Sequence, residues 1–379
     1  MALIFSAALL IGLLAPLLWE RRARDQALAA VRIRIHVNGT RGKSTVTRLI
    51  AAALREAGIQ TVAKTTGTAP RLILPDGSER PVRRRAPASI REQLWLLREA
   101  RRRGATAVVI ECMAVDPELQ AVSEDEMIRS TLGVVTNARL DHAEAMGSTV
   151  DEVAAALAAT VPQSATLVVG PTAGSDILAR VAHSRGSRVV RAVPDSADPG
   201  AWAGQPWMAE DAAIALAVTR ELGVGDDTAR RGMRAARADP GALHAGRFIV
   251  AGRRVEYVDA SAANDPQSLA LILGARLDAA VFVFHHRADR PARLRQFSDA
   301  APWSHAGDAL IVTGDLPDWV TWRRVRARLP DRRASFTPSR AIATELRRRL
   351  TAPAPPLVVF CGNTKGMRVA AIVAALQQA

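Results

Sequence analysis

A glycine-rich segment has the composition of a phosphate-binding loop: Asn38-Gly39-Thr40-Arg41-Gly42-Lys43-Ser44-Thr45. Its two glycines allow the backbone to turn sharply and to approach an anion closely. Lys43 adds a mobile positive charge, and Ser44 is placed to offer a hydroxyl to Mg²⁺. The common form of this motif has glycine at the position of Val37, so the segment is a shortened variant. All eight residues are therefore predicted to bind the phosphates of a nucleotide.

Lysine is rare in this chain, since only three of the 51 basic residues are lysine. Lys43, Lys64 and Lys365 each lie in a turn rich in glycine or threonine. A compact ammonium fits where a broad planar guanidinium does not, which is typical of crowded phosphate sites. For Lys365 alone, a chance survivor of arginine-biased composition is an equally good explanation.

A strand pattern precedes the glycine-rich segment, and a helix pattern follows it. Apolar side chains alternate over residues 31–37, and helical spacing extends over residues 44–57. The helix would direct its amide-rich positive end at an anion. Strand and helix patterns alternate from residue 31 to the end of the chain, which predicts an α/β fold with a doubly wound sheet. Such sheets bind ligands beyond the carboxyl ends of their strands.

The other predicted elements divide the chain in two. The first series has strands at 105–112, 132–136, 166–170 and 188–191, and helices at 89–103, 150–159 and 209–222. Asp239-Pro240-Gly241 interrupts the pattern. A hairpin at 247–258 then begins a second series, with strands at 279–285, 309–313 and 357–361. We place a domain boundary near residue 243.

Polar groups gather just beyond two of the predicted strands. Glu111 ends an apolar strand, where a carboxylate is poorly placed unless it meets a cation. Asn137 and Asp141-His142 follow the next strand in the same way. Because the strand ends meet at one edge of a sheet, Glu111 and His142 are predicted to share a metal site with the phosphate loop. Taken singly, Glu111 could pair with an arginine, and His142 could be a surface histidine.

The first residues predict a membrane anchor. Residues 3–19 form an uninterrupted apolar run that would span roughly 26 Å as a helix, close to the thickness of the bilayer core. Arginines follow this run at positions 21, 22 and 24, and no basic residue precedes it. The positive-inside rule then leaves the body of the protein in the cytoplasm. An uncleaved anchor is favoured over a cleaved signal peptide.

Composition limits the class of partner. The 379 residues are 49% hydrophobic, enough for two domains with their own cores. A net charge of +14 suits an anionic partner such as membrane headgroups, phosphorylated nucleotides or an acidic polymer. Nucleic acid is disfavoured because aromatic residues are only 4% of the chain. Cys112 and Cys361 end apolar strands, which predicts buried thiols.

Several of these motifs occur together and in order in a known family. They are residues 38–49, Lys64-Thr65-Thr66-Gly67-Thr68, Glu111-Cys112-Met113-Ala114-Val115, Asp141-His142 with Met146-Gly147, and Ala263-Asn264-Asp265-Pro266. The chain resembles the ligase subunit of bacterial poly-γ-glutamate synthase, the PgsB/CapB type, over nearly its whole length. That subunit is similar to Mur ligases and folylpolyglutamate synthases in its ATPase and C-terminal domains.

The resemblance implies four segments: a transmembrane anchor (1–20), a basic juxtamembrane linker (21–30), a Mur-ligase-like ATP-binding domain (31–243) and a smaller Rossmann-like C-terminal domain (244–379). It implies an amide ligase in which ATP phosphorylates a carboxylate and an amine attacks the acyl phosphate. Ser44, Glu111 and His142 would hold Mg²⁺. Lys43, the loop and Asn137 would hold ATP. Arg247 and Asp265 match the family's phosphate, ribose or amine contacts.

Two departures from the related pattern stand out. Mur ligases commonly carry a carbamylated lysine after the metal histidine, and this sequence has no lysine between Lys64 and Lys365. Asp211 stands where the synthase subunit has an asparagine, which puts nucleotide affinity or base choice in question. The resemblance does not assign a role to the segment 286–290, His-Arg-Ala-Asp-Arg.

The leading interpretation is a membrane-anchored, ATP- and Mg²⁺-dependent ligase that polymerises glutamate through γ-linkages on the cytoplasmic face, as in capsule synthesis. Membrane partner subunits are expected because a single-pass anchor cannot form an export path, and a homo-oligomer is compatible with the sequence. One alternative is a P-loop ATPase that energises a membrane export or assembly complex. A second is a ligase for another amino acid or a folate-like acceptor.

Overall fold

The computed structural model describes residues 2–67, 69–84, 87–172, 174–194, 209–239, 244–261, 265–274, 279–303, 307–329, 333–350, 357–363 and 366–377. The chain divides into two compact units, Met1–Asp239 and Pro240–Ala379. Four features predicted above lie outside the described residues: Thr68, Pro240-Gly241, Ala263-Asn264 and Lys365. The boundary predicted near residue 243 also falls there.

The elements of the first unit follow in chain order. They are α1 (Ala2–Ala30), β1 (Ile33–Asn38), α2 (Lys43–Glu56), β2 (Thr61–Lys64), β3 (Arg71–Ile73), β4 (Glu79–Pro81), α3 (Glu92–Arg102), β5 (Ala107–Glu111), α4 (Pro117–Ala121), β6 (Leu132–Val135), α5 (Ala143–Met146), α6 (Val150–Leu157), β7 (Thr166–Val169), α7 (Ser175–Ser184), β8 (Arg188–Arg191), α8 (Ala209–Glu221) and α9 (Asp226–Arg234). A π-helical segment, Val122–Ile128, continues α4.

The described strands of the first unit form one sheet in the order β4-β3-β2-β5-β1-β6-β7-β8. The pairs β2–β3 and β3–β4 are antiparallel, and the other pairs are parallel. Helices cover both faces: Ile35, Val37 and Val109 pack in a core with α2, α8 and α9, whereas Val108 and Ile110 pack with α3. The doubly wound arrangement predicted from the alternating patterns is therefore present.

Four of the short strands were not predicted from sequence. Strands β2, β3 and β4, and the strand Ala334–Phe336 of the second unit, have only three or four residues each. The first three each include a charged residue, unlike the largely apolar four-residue strands β6 and β7, so the sequence signal for a strand is weak. Tertiary pairing fixes them instead: β2 pairs in parallel with β5 along four residues.

The N-terminal helix α1 is continuous over Ala2–Ala30. The segment predicted as a separate linker, 21–30, continues the helix because its arginines, alanines and leucine are good helix formers. Ala27 is buried, and Glu20 of α1 forms an ion pair with Arg91 beside α3. In the part of the chain that the structure describes, no helix combines the length and the apolar character needed to cross a membrane.

The second unit has its own elements. They are β9 (His244–Val250), β10 (Arg253–Asp259), α10 (Pro266–Leu273), β11 (Ala280–His286), α11 (Pro291–Ala300), β12 (Ala309–Gly314), α12 (Trp319–Ala327), β13 (Ala334–Phe336), α13 (Ile342–Arg349), β14 (Leu357–Cys361) and α14 (Val369–Gln377). Its described strands lie in the order β13-β12-β11-β14-β10-β9, and only β9–β10 is antiparallel. That pair is the predicted hairpin.

Cores lie on both faces of the second sheet. Phe282 and Phe284 pack with α11 and α12, and Val281 and Val283 pack with α13 and α14. Both cysteines are free and buried, as predicted, and burial raises the pKa of the Cys361 thiol.

A buried polar pair joins the centre of the first sheet to the π-helical segment. The Nδ1 atom of His36 lies 2.8 Å from a carboxylate oxygen of Glu124, and both side chains are almost fully buried. Burial alone would lower the pKa of the His36 ring, but Cys112 and Glu124 act in the opposite direction and raise it to about 10. The contact with Glu124 therefore favours the imidazolium form of His36.

The His36 pair predicts a pH dependence of stability. A raised pKa in the folded state gives a stabilisation that is complete below the ordinary pKa of 6.5 and is lost as pH rises through about 10. The midpoint of urea unfolding should therefore fall between pH 6.5 and pH 10, and it should fall less in His36→Gln. Parallel pH curves for the two proteins would show that the ring is not protonated in the native state.

Candidate active site

The phosphate loop, residues 39–42, joins the end of β1 to the start of α2. Gly42 caps α2 in the left-handed conformation, with φ of 79°. Gly39 has φ of 128°, and a Cβ atom there would collide with the Thr136 hydroxyl and lie 2.9 Å from the Thr136 backbone nitrogen. Glycine is required at both positions for these reasons. Lys43 and Ser44 become the first residues of α2, at its positive end.

Asn137 fixes the loop from the end of the neighbouring strand β6. Its side-chain oxygen accepts hydrogen bonds from the Thr40 hydroxyl (2.7 Å) and the Arg41 backbone nitrogen (3.1 Å). Its amide nitrogen donates to the Arg41 carbonyl (3.2 Å), which also accepts from the Thr136 hydroxyl (2.5 Å). These contacts make Asn137 a clamp on the loop, a role that was not predicted; its contact with the nucleotide stays a prediction.

The Lys43 ammonium lies against the loop itself. Nζ donates to the Gly39 carbonyl at 2.6 Å and is 3.5 Å from the Thr40 carbonyl. A mobile cation is thus held at the mouth of a loop whose backbone turns around it. This is the position from which a lysine can reach a bound anion by exchanging carbonyl oxygens for phosphate oxygens.

A buried carboxylate lies beside Ser44, at the end of β5. Oε2 of Glu111 accepts hydrogen bonds from the Ser44 hydroxyl and from the Thr66 backbone nitrogen, both at 2.8 Å. Glu111 is only 3% exposed. A carboxylate and a hydroxyl at one point suit a hard cation such as Mg²⁺, which prefers oxygen ligands. The segment 64–67 contributes to this site through the Thr66 backbone nitrogen.

His142 is connected to the loop through Asp141. The Asp141 carboxylate forms an ion pair with Arg41 of the loop at 2.7 Å, and the His142 Nε2 atom is 3.9 Å from it. Burial works to raise the pKa of Asp141, but the charges of Arg41, His142 and Lys43, with the hydrogen bond from Arg41, together lower that pKa. His142 has φ of 48° and also contacts Glu144, 3.4 Å from its Nδ1 atom.

The described residues contain no group of three histidine, cysteine, aspartate or glutamate side chains arranged for a metal. The predicted metal ligands, Ser44, Glu111 and His142, do not form such a group because one of them is a serine. Of that set, the structure joins Ser44 and Glu111 directly by a hydrogen bond. A site built from a hydroxyl, one carboxylate and the oxygens of a bound phosphate fits these residues.

The other predicted loop residues have distinct surroundings. The Asn38 side chain points away from the loop and donates to Gln120 (2.8 Å) and Thr160 (3.0 Å). It anchors the end of β1 to α4 and to the turn after α6. Thr45 lies half-buried in the first turn of α2.

Asp211 lies against the loop. A Cβ atom on Gly42 would collide with the Asp211 carboxylate, so this side chain from α8 is in immediate contact with the start of α2. Asp211 departs from the related pattern, and its contact with the loop was not predicted from the sequence. Its neighbour Glu210 forms an ion pair with Arg139 at 2.9 Å.

The predicted residues of the second unit have local partners. Arg247 on the edge strand β9 has a 64% exposed side chain and pairs with Glu256 at 3.0 Å. It also lines a cavity of about 620 Å³. Asp265 caps α10: it accepts from the Ser268 backbone nitrogen (2.8 Å) and hydroxyl (2.7 Å). These contacts alone give Asp265 a structural role.

The segment 286–290 connects β11 to α11. His286 ends the strand and is buried beside His285, and burial lowers the pKa of both imidazoles. Arg287 pairs with Asp289, and Arg290 occupies the N-cap position of α11.

Known proteins match both units. Residues 247–379 match the poly-gamma-glutamate synthase CapB C-terminal domain, and residues 37–192 match the Mur ligase middle domain. The capsule biosynthesis protein CapB of Bacillus anthracis is 37% identical over 316 residues, which are 80% of this chain and 68% of that protein. The PGA synthase CapB of Bacillus subtilis (strain 168) is 35% identical over 333 residues, 85% of this chain and 83% of that protein. The chain belongs to the CapB family.

Membership of the CapB family confirms the resemblance found in the motifs, and the chain is an ATP-dependent amide ligase. Solved structures show the same α/β, Mur-ligase-like fold. E. coli FolC in complex with DHPP and ADP has a TM-score of 0.61 at 18% identity, covering 90% of this chain and 88% of that one. A bifunctional folylpolyglutamate synthase/dihydrofolate synthase with Mn, AMPPNP and L-glutamate bound has a TM-score of 0.58 at 20% identity, covering 93% and 91%.

The loop glycines predict a graded loss of stability. Gly58→Ala is the control, because Gly58 has φ of 78° and open space around it; a left-handed alanine there costs about 1–2 kcal/mol. Gly42→Ala should lower the free energy of unfolding slightly more, since the Asp211 side chain can move. Gly39→Ala should lower it by about 3 kcal/mol, because backbone atoms of β6 would have to shift. Urea unfolding measures all three, and equal losses would contradict the packing described here.

Proposed function

We propose that this chain joins glutamate residues through γ-linkages, using ATP to activate a carboxylate, as part of poly-γ-glutamate synthesis. The observation that carries the proposal is the cluster formed by Lys43, Ser44 and Glu111 where the phosphate loop meets the ends of β1 and β5. Poly-γ-glutamate is proposed as the polymer because of the name of the matched C-terminal domain and the name of the B. subtilis relative.

In this proposal the loop and α2 bind the phosphates of ATP. Backbone amides at the start of α2 donate to phosphate oxygens, and Lys43 moves from the loop carbonyls to the β- and γ-phosphates. Ser44, Glu111 and His142 would hold Mg²⁺, which neutralises negative charge on the transferred phosphoryl group. Asn137 and Thr136 keep the loop in shape, so that its donors need no rearrangement during the reaction.

The chemistry takes two steps. A substrate carboxylate oxygen attacks the γ-phosphorus of ATP, the bond to the ADP oxygen breaks, and an acyl phosphate and ADP result. The amino nitrogen of the second substrate then attacks the acyl carbon, the bond to the phosphate oxygen breaks, and the nitrogen loses one proton. Lys43 and the loop amides stabilise the charge on the phosphoryl group in the first step.

The proposal includes a single-pass anchor at residues 1–20, with the catalytic body in the cytoplasm. The apolar run before Arg21, Arg22 and Arg24 supports it. Partner subunits in the membrane would then carry the polymer outward. The proposed domain limits remain 31–243 for the ATP-binding domain and 244–379 for the C-terminal domain, with Arg247 and Asp265 as its contributions to substrate binding.

Acyl phosphate formation can be tested by trapping. The membrane-extracted protein is incubated with ATP, glutamate, a short γ-glutamyl acceptor and hydroxylamine. We expect a hydroxamate that requires both ATP and acceptor. Lys43→Ala should reduce its rate by about 10²–10³-fold, the usual effect of losing one donor to a developing anion.

Arg231→Ala is the control variant, since it also removes one positive charge but at an exposed ion pair with Glu56; it should keep the parent rate. If the rate of phosphate release is the same with and without glutamate and no hydroxamate forms, the result favours the assembly ATPase instead. Hydroxamate formed only with a different acceptor would favour a ligase for another amino acid.

Asp211 predicts the direction of a change in nucleotide affinity. Its carboxylate contacts Gly42 at the start of α2, where the phosphates would bind. Asp211→Asn keeps the shape of the side chain and removes the charge. ATP should therefore bind more tightly by on the order of 1 kcal/mol, or about fivefold, in a titration calorimeter. Weaker binding would mean that the Asp211 carboxylate helps to hold a cation.

A further inference from the structure

A second concave surface lies in the first unit, between the β3–β4 edge of the sheet and helix α3. We call it the arginine groove. Its volume is about 620 Å³. Among the described residues, its cationic and aromatic lining consists of Arg80, Arg83, Arg84, Arg91, Arg103 and Trp95. No residue of the phosphate loop lines it.

The arginine groove is strongly positive. Its described lining carries five arginines against two carboxylates, Glu92 and Glu99, a difference of +3. Arg84 pairs with Glu92 at 2.8 Å, and Arg103 pairs with Glu99 at 2.7 Å. A larger cavity in the same unit, of about 930 Å³, has three arginines and three acidic residues in its described lining and is therefore balanced. The cavity beside Arg247 has two arginines and no acidic residue in its described lining, so the arginine groove has the largest positive excess of these three described cavities.

The floor of the arginine groove is connected to the candidate active site. Glu92 binds Arg84 on the groove side and also the Lys64 ammonium, at 2.9 Å. Lys64 is completely buried at the end of β2, opposite Ile110 in the parallel register with β5. The next strand residue is Glu111, and Thr66 donates to it. Since adjacent strands are about 4.8 Å apart, the groove ends close to Glu111.

We propose that the arginine groove binds the acidic units of a γ-glutamyl chain that lie behind its reactive carboxylate. This inference rests on the proposed function. Each γ-linked unit carries one free carboxylate and two methylene groups. Arginine binds carboxylates through paired hydrogen bonds, and Trp95, which is 37% exposed, offers an apolar face to the methylenes. A chain whose end reaches the phosphate loop needs such a path for the units behind it.

The shape of the surface favours a single chain over a membrane. Its arginines come from two elements that face each other, β4 with the residues after it and α3 with its flanking residues. A lipid headgroup layer contacts protruding or flat surfaces, whereas a groove between two elements admits one extended chain. Anionic vesicles are therefore the competing ligand that the experiment must include.

The test compares two double variants of the full chain in detergent. Arg80→Gln with Arg83→Gln removes two groove charges. Arg101→Gln with Arg324→Gln removes two exposed charges elsewhere. The probe is a fluorescent γ-linked glutamate decamer, and its anisotropy reports binding. We expect about fivefold weaker binding in the groove variant and less than twofold in the control, because each exposed pair contributes modestly.

Trp95→Ala provides a second variant without a change of charge, and it should also weaken decamer binding. Unchanged decamer affinity in the groove variant would overturn the inference, and a positive hydroxamate assay in the same variant would leave the proposed function standing. If the groove variant loses binding to vesicles of anionic phospholipid by about fivefold but binds the decamer as the parent does, the inference is overturned in favour of a membrane surface. Loss of decamer binding by the groove variant supports the inference even where the hydroxamate assay is negative.

Discussion

The hydrogen bonds between Asn137 and the phosphate loop are the constraint on which the candidate site depends. They join the ends of two adjacent parallel strands, so the loop cannot open without breaking several bonds at once. This is why Gly39 must lack a side chain, since the clamp brings β6 backbone against it. The same constraint sets where α2 begins, and hence where Lys43 and Ser44 lie. Preorganised donors of this kind lower the reorganisation needed for phosphoryl transfer.

A second set of hydrogen bonds fixes Glu111 in the site. Ser44 on α2 and Thr66 after β2 both donate to the same oxygen of Glu111. The carboxylate is nearly buried, and a buried charge is unfavourable unless cations or hydrogen bonds compensate it. Two donors and the neighbouring Lys64 partly do so. A divalent cation would complete the compensation, which gives a physical reason for the carboxylate at the end of an otherwise apolar strand.

Most of the fold could be predicted because β5, β6 and β7 are largely apolar, β1 alternates apolar and polar residues, and the loop follows a motif. The short strands β2–β4 could not, since each has only three or four residues and includes a charged side chain, so no strand pattern is visible. The roles of the side chains were harder to predict from the sequence than their positions in the fold. Asn137 was predicted as a nucleotide contact and Asp265 as a ribose or amine contact; their positions as a clamp on a loop and the cap of a helix were not predicted. Sequence shows that a polar residue follows a strand, whereas only the folded geometry shows which backbone groups it satisfies.

The contrast between lysine and arginine in this chain has a structural explanation. The Lys64 side chain has no exposed surface, and its ammonium forms an ion pair with the Glu92 carboxylate. A guanidinium there would bring five donors into a space that offers few acceptors, and unsatisfied buried donors are costly. Arg84, on the other side of the same carboxylate, has a partly exposed side chain and can use its remaining donors elsewhere. Glu92 thus separates an interior where only an ammonium fits from a groove where arginines can bind the carboxylates of a ligand.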